Sequence, residues 1–139
     1  RVCHFDQTAH QFKSWSLADD GRLTYAENEL PDGTQDGTAL LYYARGLFGN
    51  KQSKSVPTVI DGQFKRTDVY YTGKMAEESA MGKEDKFVYV RSKSYYSGVA
   101  GMNGDAEGWM SADGEFVPVV GKASIIVGSV RLELVSRKK

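Results

Sequence analysis

The side chains able to do nucleophilic, acid–base or metal chemistry are gathered at the start of the chain. Cys3, His4, Asp6 and His10 include the single cysteine and both histidines of the sequence. In an extended segment Cys3 and His4 point to opposite faces, so being adjacent does not make them a pair. His4 and Asp6 share a face, an arrangement in which a carboxylate can orient an imidazole. A thiol nucleophile would instead need His10 folded back beside Cys3. A zinc site would need further His or Cys ligands, and the rest of the chain holds none. The expected state is a buried thiol and two surface or hydrogen-bonded histidines, with an enzyme built on this region as the alternative.

Two other stretches resemble ligand loops. Asp32-Gly-Thr-Gln-Asp36-Gly37 has the first, fifth and sixth residues of an EF-hand loop. Its twelfth position is Tyr43, where a bidentate Glu is required, so an EF-hand is rejected. Two successive turns are expected there, with a weak calcium site shared between loops as the alternative. Gly98-Val-Ala-Gly101-Met-Asn-Gly104 is glycine-rich but lacks the Lys-Ser/Thr of a phosphate loop, and reads as a long connection. There is no paired-carboxylate site, nucleophile elbow or zincin motif. The chain is therefore expected not to be an enzyme, and no catalytic residue, metal or cofactor is assigned. Trp15, Tyr95, Tyr96 and Trp109 remain. Tyr95, Tyr96 and Trp109 are the candidate binding or interface residues, since exposed rings suit sugar stacking or a protein contact. The alternative is that these rings fill a core.

The elements that would position these residues are set by turn signals. Asp20-Gly21, Asp32-Gly33, Asp36-Gly37, Asp61-Gly62, Asn103-Gly104 and Asp113-Gly114 tolerate positive φ and favour tight hairpin turns. Between them lie segments rich in Tyr, Phe, Val and Thr. Strands are expected at Val2–Phe5, Phe12–Leu17, Arg22–Ala26, Thr38–Phe48, Thr58–Ile60, Phe64–Thr72, Lys86–Lys93, Gly108–Ala112 and Ala123–Ser136. In the last of these the alternation changes parity at Gly128, which predicts a β-bulge there, with a tight Gly128-Ser129 turn as the alternative. Lys86–Arg91 is apolar on both faces, and a strand covered on both sides is expected to be central to its sheet or to lie under an interface. Helix is expected only at Lys74–Met81, closed by Gly82, and as one turn at Tyr25–Leu30. Tyr-Tyr recurs three times, but its flanks do not repeat.

Composition limits the rest. The chain has 139 residues, 18 Lys+Arg and 18 Asp+Glu. No linker or shift in composition divides it, so residues 1–139 read as a single domain. Zero net charge argues against a free-standing nucleic-acid binder and restricts any such contact to a local patch, such as Arg137-Lys138-Lys139, or to an arm outside this chain. One cysteine excludes an internal disulfide and favours a reducing compartment. No apolar run approaches the roughly 18 residues of a membrane-spanning helix.

Phe87-Val-Tyr-Val-Arg91, Gly108-Trp-Met-Ser-Ala-Asp-Gly114, Val120-Gly-Lys122 and Gly128-Ser-Val-Arg-Leu-Glu-Leu134 together resemble the C-terminal part of jelly-roll coat proteins of small positive-strand RNA viruses. The resemblance covers roughly residues 86–136. The basic N-terminal arm usual in such coats is missing. The fold expected is all-β, an antiparallel two-sheet β-sandwich with jelly-roll-like topology and at most one or two short helices. The resemblance implies a self-assembling structural protein, a capsid subunit found in the virion as a homo-oligomer. The alternative function is a carbohydrate- or ligand-binding β-sandwich module, with a glycan as its possible partner.

Overall fold

The computed structural model describes residues 1–60, 62–95, 102–125 and 128–137. The chain forms two compact units, Arg1–Thr34 and Gln35–Lys139, although no change in composition marks the boundary.

The first unit is a three-stranded antiparallel meander of β1 (Val2–Asp6), β2 (Gln11–Leu17) and β3 (Leu23–Glu29). Its reversals are built by aspartates. The Asp6 carboxylate accepts from the N–H groups of Thr8 and Ala9, and Asp20 accepts from Arg22 N–H. The β2–β3 reversal uses Gly21 at φ +80°, as the Asp-Gly signal predicts. Tyr25–Leu30, expected as a helical turn, lies mostly in β3, where cross-strand bonds to β2 take up its backbone.

The second unit is a seven-stranded sheet crossed by one helix. Its elements are β4 (Gln35–Asp36), α1 (Gly37–Gly49), β5 (Lys54–Ile60), β6 (Gln63–Ala80), β7 (Lys83–Ser94), β8 (Met102–Met110), β9 (Pro118–Ile125) and β10 (Ser129–Glu133). The sheet order is β10-β9-β8-β7-β6-β5-β4, antiparallel throughout except for the parallel β4–β5 pair that α1 connects. Each strand thus lies beside its sequence neighbours. A jelly-roll order would bring distant strands together through Greek-key connections.

Two expected elements exchange character. Thr38–Phe48, expected as a strand, is α1. Asp36 caps it by accepting from Ala39 N–H at 2.7 Å, so Asp36-Gly37 starts a helix rather than a hairpin. Leu40, Ala44, Leu47 and Phe48 then fall on one face at helical spacing, and that face is covered. Lys74–Met81, expected as a helix, is the far half of β6 and pairs with Lys83–Tyr89 of β7. There Ala76, Glu78 and Ala80 turn inward while Met75, Glu77 and Ser79 face solvent, a period of two that overrides helix propensity. The turn at its end is Met81-Gly82, with both residues at positive φ. The bulge expected at Gly128 is a chain reversal instead. Ser124 pairs with Ser129, and Ile125 N–H donates to Gly128 O at 3.1 Å, so the parity change marks two antiparallel strands.

β7 is covered on both faces, as Lys86–Arg91 predicts. Val88 and Val90 join Ala44, Leu47 and Phe48 of α1, Val56, Val69 and Met110 in one core cluster. Phe87 joins Ala80, Trp109, Val119 and Val120 in a second, with Tyr89 packed against it. The far half of the β6–β7 hairpin reaches β9 and β10, where Glu78 meets Lys122 at 2.7 Å and Arg131 at 2.8 Å.

Candidate functional site: an apolar trough beneath the helix

Between α1 and the β10 side of the large sheet lies a cavity of about 590 Å³. Its position follows from side-chain size. The helix and strands β6 and β7 fill one end with Phe48, Val69 and Val90. Along the middle of β8 and β9 the same face carries Ala106, Gly108, Gly121 and Ala123, flanked by the larger Met110, Pro118 and Ile125. Gly108 pairs with Gly121 and Ala106 with Ala123, so four small residues stand side by side on the sheet face that continues beyond α1. A Cβ placed on Gly121 would meet no atom within 4 Å. Ligand sites are concave, mostly apolar spaces of roughly 300–1,000 Å³, and this trough falls within that range.

The cavity has a closed end and an open one. Phe48 and Val69 are each 2 % exposed, and Met110 is 5 % exposed. Toward β10 the lining reaches the surface, where Leu41 is 53 % and Leu132 71 % exposed. The side chains of β8–β10 that face the trough are apolar, and the charged members of β9 and β10 are already engaged. Lys122 binds Glu78 and stands 4.6 Å from the centre of the Trp109 ring, while Arg131 pairs with both Glu78 and Glu133. Lys122 first, and Arg131 second, hold the Glu78 carboxyl down at about 2. These ion pairs fasten β9 and β10 to β6 and so fix the open side of the trough.

The residues expected to act lie elsewhere. Trp109 is buried on the opposite face of the sheet, in the second core cluster, and offers no exposed stacking platform. Its Nε1 is buried without a hydrogen-bond partner among the described residues. Tyr95 lies 4.5 Å from the Arg66 guanidinium and donates to Asp68, which makes it part of a surface cluster. Tyr96 lies outside the described residues, as does most of the glycine-rich stretch from Gly98. Trp15 stacks on Tyr25, 5.4 Å between ring centres.

The N-terminal cluster is dispersed by its strand. Cys3, expected as a buried thiol, is exposed on the outer strand β1 opposite Ser14, His4 is opposite Lys13, Asp6 holds its own turn, and His10 lies 2.8 Å from Asp32. The possible calcium loop is equally committed, with Asp32 at His10, Thr34 donating to Pro31 O and Asp36 capping α1. Among the described residues no three His, Cys, Asp or Glu side chains are grouped to hold a metal. Nor is any helix there long and apolar enough to cross a membrane. Of the basic tail, Arg137 is bound by Asp113 and Glu115, and Lys138 and Lys139 lie outside the described residues.

Sequence reasoning missed the trough because its defining residues are small and chemically silent. The available signal was the paired small residues Ala106-Glu-Gly108 and Gly121-Lys-Ala123, which only strand register brings side by side.

Fold and site together define a mostly β protein, with one helix laid over an antiparallel sheet and an apolar trough between them. The sequence pattern of the family described as "Protein of unknown function (DUF3108)" matches residues 1–135, and the chain belongs to that family. No curated protein and no solved structure matches it.

Proposed function

We propose that this protein binds an apolar small molecule in the trough between α1 and strands β6–β10. The observation that carries the proposal is the run of Ala106, Gly108, Gly121 and Ala123 beneath the helix, which leaves about 590 Å³ lined by hydrocarbon and open at one end. Burying an apolar ligand there removes its surface and that of the lining from water, and needs no charged partner. The general form of the expectation, a ligand-binding β module, is kept. A glycan is a poor match, because sugar hydroxyls need hydrogen-bond partners when buried.

The test is titration with 1-anilinonaphthalene-8-sulfonate. The expected result is saturable fluorescence enhancement at one site per chain, lost in Gly121→Leu, which places a side chain in the empty space. Absence of a saturable site in the unaltered chain overturns the proposal.

One observation favours the second reading, a self-assembling shell subunit. β10 ends the large sheet, and Val130 and Leu132 are exposed on it. An exposed apolar edge strand can pair with another copy. Sedimentation across dilutions tests this: a large closed assembly supports the shell, and a monomer throughout removes it.

A further inference from the structure

The trough crosses five adjacent strands, with Val69 on β6, Val90 on β7, Gly108 on β8, Gly121 on β9 and Leu132 on β10 all contributing. Four interstrand gaps at about 4.8 Å each give it a length of about 19 Å. Along each of β8 and β9 the floor of small residues is two positions long, Ala106 to Gly108 and Gly121 to Ala123, or about 7 Å, with Met110 and Pro118 beyond one end and Ile125 beyond the other. The trough is thus longer than it is wide, a shape that one extended chain fills from end to end.

The two ends differ in what they offer. Phe48, Val69 and Met110 close the inner end in hydrocarbon, so no polar group of a ligand could find a partner there. At the mouth Leu41 and Leu132 are exposed to water, where a polar head would stay solvated. The charged residues that border it, Arg91, Glu107, Lys122 and Glu133, alternate with the trough-facing Val90, Gly108, Gly121 and Leu132 and so point to the other face of the sheet, where Lys122 pairs with Glu78 and Glu133 with Arg131.

Resting on the ligand-binding reading, we infer that the occupant is a single unbranched acyl chain, inserted tail first from the β10 side with its head group left at the mouth. The chain selects, and the head does not. An extended hydrocarbon advances about 1.25 Å per carbon, so a slot of about 19 Å takes about 15 carbons. Each methylene added within that length tightens binding about fourfold, and further ones add nothing because they remain in water.

The experiment is competition against the bound fluorophore by saturated fatty acids and fatty alcohols from 8 to 18 carbons, by a single-chain lysophospholipid, by a two-chain phospholipid and by adamantanol. The expected result is a steep rise in affinity with length, levelling near 14–16 carbons, equal for acid and alcohol within about threefold. The lysophospholipid should compete and the two-chain lipid should not. Competition by the lysophospholipid but not by the free acid and alcohol would assign the chain to a lipid source and overturn the head-group independence. Gly121→Leu should move the levelling point to shorter chains or abolish binding.

Affinity independent of chain length, with adamantanol competing as well as any chain, overturns the acyl inference while leaving an apolar site in place. A fluorophore that never binds saturably overturns both.

Discussion

Gly108 of β8 and Gly121 of β9 are direct partners in the sheet, yet the space above each is different. A Cβ on Gly108 would stand 2.9 Å from Val90 Cγ2, whereas one on Gly121 would meet nothing within 4 Å. One glycine is required by close packing, and its neighbour keeps a volume open.

Opposite effects are therefore expected from substitutions at the pair. Gly108→Ala should destabilise by about 1–3 kcal/mol, because stiff Val90 must shift. Gly121→Leu should leave the urea midpoint unchanged or raise it, while removing ligand binding. Equal destabilisation by both would contradict the open space at Gly121.

The Glu78 carboxyl has a sharp pH signature. With Lys122 and Arg131 beside it, it is held at about 2 in the folded chain against 4.5 when unperturbed. The unfolded chain takes up its proton first as pH falls. The contribution is therefore complete above about pH 4.5 and disappears between there and about pH 2. Glu78→Gln should lower stability at pH 7 by about 1 kcal/mol or less, since Lys122 and Arg131 are each 34 % exposed and solvent screens them. It should also flatten the decline between pH 4.5 and 2. Urea unfolding at pH 7, 4 and 2.5 measures both, and an unchanged slope would show that the pair is not formed in solution.

Asp36 controls the start of α1. Asp36→Ala removes the acceptor for Ala39 N–H and should cost about 1 kcal/mol. Amide hydrogen exchange should quicken first in the opening turn of the helix, at Ala39 and Leu40. Asp36→Ser should recover most of the loss, because the hydroxyl can also cap.

Cys3 is a free, exposed thiol on β1. It should react with a thiol reagent at a rate near that of a free cysteine in the native chain. Cys3→Ala should shift stability by no more than about 0.5 kcal/mol and leave ligand binding intact. Slow labelling that appears only on unfolding would contradict the exposed position.

How much could be seen in advance depended on the range of the forces involved. The Asp20-Gly21 turn and the doubly covered stretch Lys86–Arg91 were legible, because positive φ and two-faced apolarity are local properties. Thr38–Phe48 and Lys74–Met81 were misassigned for one shared reason. Aromatic content suggested a strand in the first and Ala and Glu content a helix in the second. The cap at Asp36 decided the first, and β7 pairing alongside decided the second.

The sequence by itself determined a mostly β chain, without an internal disulfide, with its reversals marked largely by glycines and aspartates. Those features rest on backbone sterics and on residue chemistry that no neighbour can change. Tertiary structure alone decided the trough. Ala106, Gly108, Gly121 and Ala123 have no distinctive chemistry, and a cavity is defined by what is missing from several strands at once. Only the β8–β9 register sets those absences next to each other, and only α1 beside them turns a bare patch of sheet into an apolar trough.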